Sequence, residues 1–175
     1  MLADGYHRIQ EIVHASAAGL GAEDLAFRPE PGANSIAWLI WHLTRIQDDH
    51  VADIAGRPQV WVGSDWPARF DMAPDPASTG YGHTPEQVAA VRPREAGVLL
   101  GYHDEVADGT FAYLRSVDSV ELDRIIDRSY DPPVPVGVRL VSVISDNLQH
   151  AGQARYLRGM IERLGSRPLP LGQDG

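Results

Sequence analysis

The chain has 175 residues, 43% of them hydrophobic, which is enough for one domain with a buried core and too apolar for a disordered protein. It contains no cysteine, which excludes a disulfide framework, a cysteine-ligated zinc site and a cysteine nucleophile. The formal net charge of −9 and the lack of a basic stripe argue against a nucleic-acid partner. The sequence has neither a signal region nor a membrane-spanning segment, so we expect a cytoplasmic protein without a membrane partner.

Four segments carry apolar residues at three- and four-residue spacing, the pattern of amphipathic helices. The second is the most apolar, and Asn34 or Ser35 is well suited to cap its N-terminus. Between the first two helices the glycines and prolines predict only a loop. No strand pair is predicted, although residues 121–126 favour one further helical turn. The four helices are predicted at about residues 2–17, 35–55, 95–117 and 138–164.

The connection between the second and third helices, residues 57–93, is unusually long. Its prolines exclude a long helix, and only one short helix is predicted, residues 85–91, capped by Thr84. Its large aromatic residues argue for an ordered crossover, or lid, over one end of the bundle. Two of them, Trp61 and Trp66, belong either to the core or to the wall of a pocket. The four aromatic residues are Trp61, Trp66, Phe70 and Tyr81.

These elements predict one all-α domain over residues 1–175, a four-helix bundle with a long crossover between helices two and three. Its last segment, residues 165–175, is predicted to be a loose tail.

The fourth helix carries polar groups inside an apolar face. Asp146 and His150 are four residues apart and therefore share that face, with Gln153 beside them. The same face carries a predicted core stripe of Val143, Leu157, Ile161 and Leu164. Burial of a carboxylate and an imidazole requires partners or a metal ion.

His42, on the central second helix, can meet this face. Two imidazoles and one carboxylate form a ligand set for a divalent ion that leaves open positions. The alternative is a buried hydrogen-bond network without metal, with Arg139 paired to Asp146. Spacing alone does not decide between the two.

Other polar residues compete for a role at this site. His50 could replace His42 as a ligand, and His103 could line the same cavity. Asp49 and Asp53 are further candidates, although a core or surface role is the more common one for such residues. For three histidines, His7, His14 and His83, the sequence indicates no partner.

Two stretches together, NSIAWLIWHLTRIQDDH and VRLVSVISDNLQHAGQARYLRG, resemble the DinB-like superfamily of four-helix metalloproteins. The closer resemblance is to its branch of mycothiol-dependent transferases. The superfamily usually binds one divalent metal through a histidine of the second helix and an HxxxH pair of the fourth. The resemblance therefore implies His42 and His150 as ligands, with Asp146 at the position of the first histidine of the pair. Zn, Ni or Mn is the expected ion.

The resemblance also implies a function. A metal-activated thiol of the mycothiol type would attack a small-molecule electrophile under the crossover, as in detoxification. Asp49, His50 or His103 could carry protons. A homodimer is expected from the resemblance as well. The alternative is a non-catalytic binding or interaction module with a degenerate or empty metal site.

Overall fold

The computed structural model of the protein describes residues 1–164, and the predicted loose tail lies outside the described residues. Within residues 1–164, four long helices make up most of the fold, and the connections between them contain five short helices and two short strands. In chain order the elements are α1 (Leu2–Ala17), α2 (Ala22–Ala26), α3 (Ile36–Ala55), α4 (Val60–Gly63), α5 (Trp66–Arg69), α6 (Pro85–Ala90), α7 (Ala96–Leu114), α8 (Ser119–Asp123), β1 (Ile125–Asp127), β2 (Val134–Pro135) and α9 (Val136–Leu164).

The all-α prediction is confirmed, and the four long helices begin and end close to the predicted positions. Ser35 caps α3, because its side chain accepts a hydrogen bond from the backbone N–H of Trp38. Gly56 ends the same helix with a φ of 63°, a conformation that glycine adopts without strain. The third long helix ends at Leu114, three residues earlier than expected.

The short elements were mostly missed. The connection after α1 contains α2, and the crossover contains three short helices instead of one. The predicted absence of strands is wrong, because β1 and β2 pair antiparallel. Strands of three and two residues are too short to produce a recognisable alternation of apolar and polar residues.

The core lies between α1, α3, α7 and α9. α3 contacts both α7 and α9, which in turn both contact α1, so the four helices form a closed ring of neighbours. Fifteen of the 20 residues of α3 are buried, which makes it the central element. Three residues of the predicted α9 stripe are buried, but Leu164 is exposed. The stripe ends before Leu164 because the last turn of α9 extends past the core.

The crossover packs its aromatic residues against α7. Trp61, Trp66 and Phe70 are buried, and the ring centroid of Tyr102 lies 5.2, 5.8 and 6.0 Å from theirs, respectively. Trp61 and Trp66 therefore belong to the core. The expectation that Tyr81 is buried is wrong, since it is 92% exposed.

A buried ion pair holds the crossover to α3. Arg45 and Asp48 are both fully buried, with Nη1 and Oδ2 3.3 Å apart. The carboxylate of Asp48 accepts the backbone N–H groups of Val60 and Trp61, each at 2.8 Å, at the start of α4. Arg45 donates to the backbone carbonyls of residues 76 and 78. The crossover is thus hydrogen-bonded to one turn of α3 in two places, at residues 60–61 and at residues 76–78.

In the part of the chain that the structure describes, no helix is both long and apolar enough to cross a membrane.

Candidate metal centre

The three predicted metal ligands meet between α3 and α9. His42, Asp146 and His150 each offer one ligand atom, and these atoms lie within 4.8 Å of one another. The two imidazole rings are 4.7 Å apart between centroids and nearly perpendicular, at 79°. His42 is buried, and the other two are partly buried on the facing helix.

A hydrogen bond to the crossover sets the protonation of His42. Its Nδ1 lies 2.6 Å from the carbonyl oxygen of Thr79, which can only accept, so Nδ1 carries the hydrogen. Burial lowers the pKa of His42 and keeps the ring neutral. The ring also stacks on Trp38, with centroids 4.6 Å apart. Its Nε2 is therefore left with a lone pair on a ring fixed in orientation, as a metal ligand requires.

Gly80 permits this close approach of the crossover. A Cβ at this position would lie 2.9 Å from Nδ1 of His42 and 3.0 Å from Cζ3 of Trp41. Its φ of +95° also favours glycine. Any side chain at residue 80 would push the crossover away from the histidine.

His150 is oriented by its neighbours on α9. Its Nδ1 lies 3.3 Å from Oε1 of Gln153, and its Nε2 lies 3.6 Å from Oδ1 of Asp146. The contact with Asp146 raises the pKa of His150 and lowers the pKa of Asp146 itself. As in His42, Nδ1 donates to an oxygen acceptor and Nε2 points toward the cluster.

One atom of the cluster lacks a partner. Oδ2 of Asp146 is buried, and within residues 1–164 no group forms a hydrogen bond with it. An unsatisfied buried carboxylate oxygen is costly, and a cation would remove this cost. Two imidazole nitrogens and a carboxylate oxygen suit Zn²⁺, Ni²⁺ or Mn²⁺. The residues present therefore fit a divalent ion, with coordination positions left for water or substrate.

The metal-free alternative with an Arg139–Asp146 pair is wrong for the described residues. Nη2 of Arg139 lies 3.2 Å from Oδ2 of Asp127, and its Nη1 lies 3.2 Å from Nδ1 of His50. The unpredicted hairpin supplies Asp127, and this carboxylate draws the guanidinium away from Asp146.

The other proton-carrying candidates lie outside the cluster. His50 contacts Arg139 and lies 3.7 Å from Asp49, whose carboxylate accepts from Gln59 at 2.7 Å. Asp49 and Asp53 line a neighbouring cavity of about 580 Å³ near the end of α3, which shares His50 and Arg139 with the cavity that reaches Asp146. His50 therefore does not replace His42 as a ligand.

His103 does not line the cavity near the cluster, and of the two roles considered for it the core role is the one observed. It is 1% exposed, and its Nδ1 lies 3.1 Å from Oγ1 of Thr44 inside the helical core. The charged groups that influence it are Asp104 and His14, on the other side of the bundle. This packing leaves it no access to a bound molecule.

Sequence reasoning missed His83. Nε1 of Trp38 donates to its Nδ1 at 3.2 Å, and its ring stacks on Trp41 with centroids 5.6 Å apart. It therefore stands beside the two tryptophans that flank His42. No local pattern could have indicated this, because 45 residues separate His83 from Trp38.

Two cavities meet at Asp146. One, of about 490 Å³, extends from Asp146 to Arg139 and His50. The other, of about 700 Å³, runs along the outer side of α9 from Asp146 to Leu122. A small molecule can therefore approach the cluster from the side of Asp146.

Fold and cluster together define an all-α, four-helix-bundle protein with a His/Asp/His group that could bind a metal ion. The family model of the DinB superfamily matches residues 6–154, and the chain belongs to this superfamily. The chain is also similar to a solved structure described as a conserved protein from Enterococcus faecalis. The two share 28% identity with a TM-score of 0.85, over 93% of this chain and 95% of that one. Comparison with curated proteins found no significant match.

Proposed function

We propose that the protein is a metal-dependent enzyme that transfers a low-molecular-weight thiol of the mycothiol type to small electrophiles. The observation that carries the metal part is the convergence of His42, Asp146 and His150, with Oδ2 of Asp146 buried and unpaired. The thiol part is supported by the resemblance of the two motif helices to mycothiol-dependent transferases. It also agrees with the absence of cysteine, since any thiol has to come from a ligand.

Three residues would bind the ion, and two others would orient the imidazole rings. His42 and His150 present Nε2 and Asp146 presents its carboxylate to the ion, while Thr79 and Gln153 hold the two rings. A bound divalent ion would lower the pKa of a thiol and so supply a thiolate near neutral pH.

Transfer requires proton movement. The sulfur forms a bond to carbon, the thiol proton passes to a base, and either a leaving group departs or an activated double bond takes up a proton. His50 lines the cavity that reaches Asp146, and burial lowers its pKa, so its ring is neutral. It could accept the proton at Nδ1 if that nitrogen gave up its hydrogen bond from Arg139. Asp49, in contact with His50, can stabilise the charged imidazolium.

One observation favours the second candidate, a binding module with an empty site. Nε2 of His150 lies 3.6 Å from Oδ1 of Asp146, so a protonated His150 would partly offset the charge of the carboxylate without a metal. This contact leaves Oδ2 of Asp146 without a partner, whereas a cation would interact with the carboxylate and offset its charge.

Calorimetric titration of chelator-treated protein with Zn²⁺, Ni²⁺ and Mn²⁺ tests the metal part. We expect one ion per chain, with binding lost in Asp146→Asn and His150→Ala and retained in the control His7→Ala. The thiol part is tested with the metal-loaded protein, a mycothiol-type thiol and bromobimane as electrophile. Metal-dependent consumption of both supports the enzyme. If the protein binds metal but does not consume the thiol and the electrophile, it is a metalloprotein of another activity. If it binds no metal, the binding module with an empty site is favoured.

The homodimer stays a prediction that rests on the resemblance. Sedimentation equilibrium at micromolar concentration should show a mass twice that of the 19.1 kDa chain. A monomer under these conditions would contradict it.

A further inference from the structure

We propose that the cavity between Asp146 and Arg139 binds a carboxylate group of the molecule that reacts at the candidate metal centre. The inference rests on the proposed function and adds a substrate class to it: small molecules with a reactive end and a carboxylate end.

The residues that would contact the carboxylate end and the reactive end of the bound molecule lie on one helix. Arg139 and Asp146 both line the cavity, and they are seven residues, or two helical turns, apart on α9. At a rise of about 1.5 Å per residue, their Cα atoms are separated by roughly 10 Å along the axis. The cavity volume of about 490 Å³ is in the range of small-molecule sites. A molecule of a few carbon atoms can thus reach both residues.

The lining is polar at both ends and mainly apolar between them, where one polar residue, Ser142, donates its hydroxyl to the carbonyl of Val138. Ile46, Val138 and Val143 contribute to the apolar part. This arrangement suits a short hydrocarbon segment with a polar group at each end.

The Arg139 end offers hydrogen-bond donors. A guanidinium has five N–H donors, and the contacts with Asp127 and His50 use two of them. Because Nδ1 of His50 accepts from Arg139, neutral His50 carries its hydrogen on Nε2 and is itself a donor. An acceptor-only group such as a carboxylate satisfies donors of this kind.

The charge balance favours a carboxylate over a phosphate. Asp127 already contacts Arg139, and Asp49 lies beside His50, so the local excess of positive charge is small. A single negative charge can be accommodated there, whereas a dianion would meet repulsion from both carboxylates.

The test measures thiol binding to Co²⁺-loaded protein through the thiolate–cobalt absorption. Mercaptoalkanoates of increasing chain length are compared with the uncharged mercaptoalkanols of the same length. We expect one chain length at which the carboxylate improves binding by about ten-fold or more, the effect of a hydrogen-bonded charged group. Arg139→Gln should remove this preference without changing the binding of Co²⁺ or of the mercaptoalkanols.

Three variants make the test specific. Arg128→Gln changes the net charge equally at an exposed position of the hairpin and should leave the preference intact. Asp127→Asn removes the competing carboxylate and should increase the preference. Arg139→Lys keeps the charge but loses the planar guanidinium that can donate two parallel hydrogen bonds to a carboxylate, so it should retain only part of the preference.

A second arm asks which reactant carries the carboxylate. Succinate, which has no thiol, is titrated into Co²⁺-loaded protein saturated with a mercaptoalkanol. If succinate binds in an Arg139-dependent manner and mercaptoalkanoates bind no better than mercaptoalkanols, the carboxylate belongs to the electrophile. If mercaptoalkanoates bind better than mercaptoalkanols, the carboxylate belongs to the thiol. If Co²⁺ and thiols bind but neither arm depends on Arg139, this inference is overturned and the proposed function stands. If no Co²⁺ binds, both are overturned.

Discussion

Nδ1 of His42 lies 2.6 Å from the carbonyl oxygen of Thr79, so the crossover positions a ligand of the candidate metal centre. The carbonyls of residues 76 and 78, just before Thr79, accept hydrogen bonds from the buried Arg45. A chain of contacts therefore runs from the core of α3 through the crossover and back to His42. The crossover contributes directly to the site.

Gly80→Ala should weaken metal binding by about ten-fold or more, the usual effect of disturbing a group that orients a ligand. The added Cβ would lie 2.9 Å from Nδ1 of His42, so the hydrogen bond from His42 to Thr79 cannot keep its geometry. Isothermal titration calorimetry with Zn²⁺ measures the change.

Gly82→Ala is the matched control for Gly80→Ala. Its φ of +72° is also in the left-handed region, but no described atom lies within 4 Å of the added Cβ. Both substitutions should lower the free energy of unfolding by about 1 kcal/mol or more through backbone strain. Only Gly80→Ala should lower metal affinity, and an equal loss in both variants would show that strain alone is responsible.

Asp48→Ala should lower the free energy of unfolding by about 3–5 kcal/mol, because it leaves the guanidinium of Arg45 buried and unpaired. It also removes the acceptor for the backbone N–H groups of Val60 and Trp61. Urea denaturation measures the loss. The exposed pair Asp65–Arg69, 3.0 Å apart, supplies the control, and Asp65→Ala should change stability by less than about 1 kcal/mol. Similar losses in both variants would contradict the structural role of the buried pair.

Stability should fall as the pH falls from about 6.5 to about 4, in part because of His103. Complete burial lowers the pKa of His103 from 6.5 to about 4, so between these values the unfolded chain binds a proton that the folded protein does not. The physical reason is visible at its Nε2, which is buried and has no hydrogen-bond partner within residues 1–164. At about 1.4 kcal/mol per pKa unit, the full contribution is on the order of 3 kcal/mol.

His103→Asn isolates this contribution. The amide can still donate to Thr44, but it does not titrate. Unfolding free energies measured from pH 7.5 to 4 should decline less steeply for the variant than for the wild type. Parallel curves would mean that another group causes the acid sensitivity.

Addition of Zn²⁺, Ni²⁺ or Mn²⁺ to chelator-treated protein should raise its free energy of unfolding, since the ion binds the native state alone. The gain should be about 2.7 kcal/mol when the free ion is a hundred-fold above Kd. His42→Ala should abolish the gain, whereas His14→Ala, which changes a contact with Asp104, should keep it. Thermal or urea unfolding with and without metal measures the difference, and a gain that survives His42→Ala would place the ion elsewhere.

Local features of the fold could be predicted from the sequence because neighbouring residues determine them. The bounds of α1 and α3 follow from apolar periodicity, and the caps at Ser35 and Gly56 are interactions within one helical turn. Asp146 and His150 share a face for the same reason, as they are one turn apart on α9. His42 could be added because α3 is apolar enough to require a central position.

Only the tertiary structure decided which distant groups meet. His42 and Thr79 are 37 residues apart, and Trp38 and His83 are 45 residues apart, so no periodicity links either pair. The pairing of Arg139 with Asp127 instead of Asp146 depends on a hairpin too short to leave a pattern. Helix periodicity defines the face on which a side chain lies, but its partner depends on how the helices and the crossover pack. That packing is set by the sum of many weak contacts across the core, and it is not encoded in any single segment.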